Sequence, residues 1–262
     1  MDSPARRHRL HHAGLAAAAV AAAIADPAVG VAVDRSLINE YELQLVQLDE
    51  QLRQLKQVKA LDRKIELKAK FLPAYDAYVS GVLQADKGGQ DTVLMTVMVW
   101  RIDTGDYTGA LHISEYALRH KLALPDQYKR DTPNLIAEEF ADAALKARAA
   151  GKLFEVSVLF AALQQTSAED LHDQVRAKLH KAIGYVLRDA ADLQPEGATL
   201  DQLTQVREHL AKAFHLFDNV GVKKDIERID TKIKALTPAA PPAGEGTADT
   251  PNTPSAAEGG TG

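Results

Sequence analysis

The stretch "VWRIDTGDYTGALHISEYALRH", residues 99–120, decides the fold. Asp103-Thr104-Gly105 is the three-residue signature of an aspartic protease. That chemistry needs two such carboxylates facing each other on loops of a β-rich framework and sharing one proton. Here the triplet occurs once, and both flanks carry helical periodicity. Upstream, positions 93, 94, 95, 97, 98, 99, 100 and 102 are all apolar. A helix capped by Asp91 and apolar nearly all round must be buried. Gly105 suits the left-handed residue that ends it, and Asp106 is placed to cap a following helix that runs to about Leu122, before Pro125. The triplet therefore reads as a turn between two helices, and the chain as all-α.

Outward from this turn the same periodicity continues. Asp34 to Phe71 reads as one long amphipathic helix with Ile38, Tyr41, Leu45, Leu48, Leu52 and Leu55 at the alternating spacings of three and four that a coiled coil uses. The seam shifts at Val58, Leu61 and Ile65, so two readings stand: a self-associating coiled coil, or a helix packed on its own domain. Pro73 starts a helix over 73–85, and further helices are expected over 133–149, 153–165, 169–190, 199–218 and 222–236. Their separators are Gly151, Thr166-Ser167, Gln194-Pro195-Glu196-Gly197 and Asn219-Val220-Gly221. No run alternates as a strand would. The expected organisation is a basic, Ala-rich arm over 1–36, a coiled-coil and DNA-binding helix over 37–72, a core of antiparallel helix hairpins over 73–236, and a disordered tail over 237–262. The tail is too poor in large apolar residues to offset its ordering entropy.

Composition narrows the chemistry. The chain has 262 residues, no cysteine and a net charge of −5. Disulfides, thiolate metal sites and a cysteine nucleophile are excluded. A net negative chain has no global attraction to nucleic acid, so any such contact must be local. Local concentrations exist: between Arg53 and Lys70 lie seven basic residues, Arg53, Lys56, Lys59, Arg63, Lys64, Lys68 and Lys70, against Asp62 and Glu66. On one continuous helix Lys56, Lys59, Arg63 and Lys70 share a face, which could follow a phosphate backbone or simply be a solvated flank. Arg6, Arg7 and Arg9 with three histidines form a second basic arm, and "VRAKLHK" adds Arg176, Lys178 and Lys181.

Residues 15–25 carry an apolar, mostly alanine run behind the basic arm. It imitates a signal peptide cleaved near Asp26, in which case the chain is a secreted helical adaptor; it is too short to span a bilayer. The alternative is a frayed helix behind a basic arm. The nine histidines are scattered: His172 and His180, or His209 and His215, have neither the one-turn spacing nor the carboxylate companions of a metal site, and there is no Walker A loop. Ile65-Glu66-Leu67-Lys68 has the Glu-x-Lys form of some metal-dependent nucleases, but it lies in a helical run where such motifs sit on strands. No catalytic residue, metal ligand or cofactor is assigned.

Two resemblances follow from these residues. Gly105, Asp106, Tyr107, Ala110, Leu111, Ala117, Leu118 and Pro125 resemble half of a tetratricopeptide repeat, which implies helix hairpins. More specifically, "SPARRH", "GVLQADKGGQDTVLMTVMVWRIDTGDYTGAL", "VRAKLHK" and "GVKKDIERID" together resemble the small terminase subunit of P2-like tailed bacteriophages. The resemblance implies a DNA-packaging protein of the host cytoplasm, without membrane contact. It would bind double-stranded viral DNA at the packaging site, form a homo-oligomeric ring and hand DNA to the large terminase subunit, which carries the ATPase. Members are also labelled the terminase endonuclease subunit, and Mg²⁺ would be needed only if that label holds here. The chain departs from the family in its tail, which has acids and no Lys or Arg after Lys234.

Overall fold

The computed structural model describes residues 35–125 and 128–237, with side chains from Glu40 onward. The basic arm with Arg6, Arg7 and Arg9, the Ala-rich run, the Ile38 side chain and the tail from 238 lie outside the described residues. Among those residues there are helices and turns and no strand. They are α1 (Arg35–Gln57), α2 (Leu61–Phe71), a 3-10 turn (Leu72–Tyr75), α3 (Asp76–Ala85), α4 (Thr92–Thr104) and α5 (Tyr107–Arg119). Then come α6 (Thr132–Ala149), α7 (Val156–Gln165), α8 (Asp173–Asp192), α9 (Leu200–Leu216), a second 3-10 turn (Asp218–Val220) and α10 (Lys223–Leu236).

The helix ends follow local chemistry. Asp91 caps α4 by accepting from the Leu94 N–H at 2.8 Å. Gly105 ends α4 at φ +86°, a backbone that a side chain would strain. Asp106 then caps α5 by accepting from the Gly109 N–H at 3.0 Å. Asp131 does the same for α6, and Thr199 with Gln202 forms a capping box on α9.

Burial then orders the layers. From Val93 to Trp100, and again at Ile102, every residue of α4 is buried, because α1, α2, α5, α6 and the first 3-10 turn all pack on it. Trp100 meets the rings of Phe71 and Tyr75 with centroids 6.0 and 6.2 Å apart. α8 extends this core and joins it to a smaller one, formed by Tyr185, Leu203, Val206, Leu210, Val222 and Ile229, that holds α9 and α10. Gly184 permits the close approach of α8 and α9: a Cβ there would lie 2.6 Å from a Leu210 methyl.

One expected element divides. The single helix from Asp34 to Phe71 is two helices, broken at 58–60 with Ala60 extended (φ −69°, ψ 127°). Neither proline nor glycine causes this. On a continuous helix Leu67 and Phe71 would point roughly 120° away from the Leu48–Leu55 seam. The break re-aims them so that both segments reach the core. Leu48 and Leu55 are buried in that core, with Tyr41, Leu45 and Leu52 packed against it. Leu61, which the seam would have continued through, is 57% exposed.

Candidate nucleic-acid interface

The cations predicted to meet phosphate divide into two groups once their partners are seen. Lys56 in the last turn of α1, Lys59 in the break, and Arg63 and Lys70 on α2 are exposed, and Lys64 is half-buried. None of these five has an ion pair among the described residues. Because the helix is broken, periodicity alone aligns only Arg63 with Lys70, seven residues apart on α2. Lys56 and Lys59 extend the basic strip through the connector instead. Arg53 pairs with Glu50 at 2.9 Å but remains largely exposed.

The other group is occupied by the fold. Lys68 turns inward, its ammonium 2.5 Å from the Asp103 carboxylate. Arg176 donates to the Glu169 carbonyl at 2.8 Å, and Lys181 to the Val220 carbonyl at 2.7 Å. Lys178 donates to Glu138 at 2.8 Å and lies 3.1 Å from Asp142. Burial works against the Lys178 ammonium, yet these two carboxylates hold its pKa above the usual lysine value. Lys178 and Lys181 line a groove of about 950 Å³ between α6, α8 and the second 3-10 turn. Part of its cationic wall is compensated, since Glu138 takes Arg130 at 2.6 Å as well as Lys178. "VRAKLHK" is a set of latches joining α8 to its neighbours.

The Asp-Thr-Gly triplet is likewise structural. Asp103 fastens α2 to the end of α4, and the Thr104 hydroxyl donates to the Trp100 carbonyl at 2.9 Å. Arg101 sits between Asp106 and Asp76, the latter at 2.6 Å. Glu139 of α6, within electrostatic range of Asp103, is half-buried and without a hydrogen bond among the described residues. Burial, then the neighbouring carboxylates of Asp103, Asp142 and Glu138, push its pKa up, with Lys68 opposing. Glu66, the acid of the Glu-x-Lys motif, is exposed on helix α2, while its lysine is engaged by Asp103. Among the described residues no group of three or more His, Asp or Glu side chains is arranged to hold a metal ion, and no helix is long and apolar enough to cross a membrane.

Sequence spacing gave no hint of one further pair. His180 on α8 and His209 on α9 bring their Nδ1 atoms to 3.1 Å, with Phe160 edge-on to His209. They are 29 residues apart, so only the packing of α8 on α9 unites them. Burial, then His209, Lys212 and Arg176, depress the His180 pKa from 6.5 to about 4, and burial also lowers that of His209. A depressed histidine contributes stability that is present above its unfolded pKa and lost as pH falls towards the folded one. Between pH 6.5 and 4 the His180 ring should therefore cost the fold about 2 kcal/mol, less than its full shift because the ring is only partly buried. Urea unfolding at both pH values should show this loss, and His180→Leu should remove most of it. An unchanged pH slope in that variant would refute the assignment.

The described geometry can be set beside known proteins. The phage small terminase subunit family matches residues 45–174, from the middle of α1 to the start of α8. The chain is 40% identical over 234 residues to the terminase endonuclease subunit of Escherichia phage P2, covering 89% of this chain and 87% of that protein. It is 24% identical over 204 residues to the probable terminase endonuclease subunit of Haemophilus phage HP1, covering 76% and 72%. No solved structure matches. With 40% identity sustained over nearly the whole of both chains, and an all-helical fold built around the turn at Gly105, this protein belongs to the family of phage small terminase subunits.

Proposed function

We propose that this subunit serves viral genome packaging in the host cytoplasm by gripping double-stranded viral DNA with Lys56, Lys59, Arg63, Lys64 and Lys70, and delivering it to the large ATPase subunit. The observation that carries the reading is the division of the cations: this strip is unpaired at the surface, whereas the α8 cations are consumed by carboxylates and carbonyls. Unpaired lysines and arginines release counterions when they meet phosphate, which gives affinity without base recognition. Each subunit grips weakly, so the reading includes a homo-oligomer, in which linked sites multiply affinity. The inward seam of α1 lies against the chain's own core. Its outer side keeps Leu43 and Val46 each 69% exposed, and that side is what α1 offers a second copy. The reading requires no cofactor.

The test is a salt series. Neutralising three cations together, Lys56→Gln, Lys59→Gln and Arg63→Gln, should flatten the slope of log affinity against log salt by about 2.7, at roughly 0.9 per phosphate contact. A slope equal to that of the wild type would remove these residues from the interface.

A second reading rests on the two relatives, the terminase endonuclease subunit of phage P2 and the probable terminase endonuclease subunit of phage HP1. It predicts cutting of duplex DNA with Mg²⁺ or Mn²⁺ and its loss in Glu66→Ala. Absence of cutting by the purified wild type with either ion would leave cleavage to the partner.

A further inference from the structure

We propose that Asp103, with Glu139 in electrostatic range of it, is an internal stand-in for DNA phosphate that withholds Lys68 from the backbone and so limits how tightly α2 grips DNA. This inference rests on the DNA-binding reading of α2.

Three observations converge on it. First, Lys68 lies one helical turn from Lys64 on the same edge of α2, so it belongs by position to the basic strip. Its side chain is 19% exposed and that of Asp103 31%, so the pair sits at the protein boundary and not in the core. A lysine stem at such a boundary can carry its ammonium outward once the inward partner is gone. Secondly, Asp103 occupies the last turn of α4, where the helix dipole disfavours negative charge. A carboxylate is out of place there unless a cation is held against it. Thirdly, a second carboxylate, that of Glu139, lies within electrostatic range of the pair. Glu139 is close enough for Asp103 to raise its pKa and for Lys68 to lower it, yet it makes no hydrogen bond of its own among the described residues. Fastening α2 to α4 needs one carboxylate; Glu139, whose neutral form burial favours, adds negative charge beside the strip only when it ionises. Phosphate oxygens arriving at α2 would compete with these carboxylates for the same ammonium. A grip held below its maximum suits a protein that must pass its DNA on.

The test compares full-length wild type with Asp103→Asn/Glu139→Gln, and with that double variant carrying Lys68→Met as well. Binding of a fluorescent DNA duplex is followed by anisotropy between about 50 and 200 mM salt, and thermal unfolding is recorded for each protein. The double variant should bind several-fold more tightly, with a salt slope steeper by about 0.9, the increment of one added phosphate contact. Adding Lys68→Met should return the slope to the wild-type value. Weaker binding with a lowered Tm in the double variant would show that the carboxylates only brace the fold, and would overturn the proposal. So would a steeper slope that survives Lys68→Met, which would reflect general loss of negative charge. If the wild type shows no salt-dependent binding, the DNA-binding reading falls and this inference with it. If the wild type has a normal slope and the double variant does not change it, only the role of Asp103 and Glu139 is lost.

Discussion

Alanine in place of Phe140 should destabilise the protein by about 3–5 kcal/mol. The ring is fully buried in α6, 6.2 Å between centroids from Tyr107. Its neighbours along the same helix, Ala137, Ala141 and Ala144, are also fully buried and have no side chain long enough to fill the space. The cavity would therefore persist, and the lost transfer energy would be joined by lost dispersion contacts. For a fold of this size the expected fall in Tm is roughly 10–15 °C. Phe140→Leu keeps most of the volume and should cost about 1 kcal/mol. Urea unfolding of the two variants checks the pair: a loss below 1 kcal/mol for alanine would mean that α6 can collapse onto α5 and α7, contrary to the packing described.

Asp91→Ala should cost about 3 kcal/mol, the sum of a lost helix cap and a stranded hydroxyl. The Asp91 side chain accepts from the Leu94 N–H at 2.8 Å and from the Tyr78 hydroxyl at 2.5 Å, in a site where Asp91 is 5% exposed. Burial raises the Asp91 pKa, the two hydrogen bonds opposing, and burial and the Asp91 charge together raise that of Tyr78. The fold thus keeps the Tyr78 proton and needs an oxygen to receive it. Asp91→Asn retains a capping oxygen and removes the buried charge, so it should cost less than 1 kcal/mol. Equal losses for alanine and asparagine would show that the charge, and not the hydrogen bonds, is what the site requires. Both variants can be read by calorimetry, since the N-terminus of α4 anchors the most buried helix among the described residues.

The position of Asp91 illustrates how legible the fold was. A capping acid, eight apolar positions and Gly105 lie within 15 consecutive residues, and their chemistry is local. Caps, turns and periodicity act over one or two helical turns, so the helices beginning near 92, 107, 132, 200 and 223 fall within a few residues of expectation. The break at 58–60 was less visible, because no residue there forces it. It arises from the need of Leu67 and Phe71 to reach the core, where Phe71 meets Trp100, a partner some 30 residues away.

The candidate interface divides along the same line. By itself the sequence determined that the chain is all-α, that Asp103-Thr104-Gly105 is a turn, that cysteine chemistry is absent and that cations concentrate between Arg53 and Lys70. Its quoted stretches also carried the resemblance to the small terminase subunits. All of these depend on residue type and on short-range spacing. The tertiary structure alone decided which cations remain unpaired at the surface. Lys64 and Lys68 are one turn apart and chemically identical, yet one is unpaired and the other is held by Asp103, 35 residues away. His180 and His209 meet for the same reason. A charge's partner is set by Coulomb attraction over a few ångströms of space, and that distance is fixed only when the helices pack.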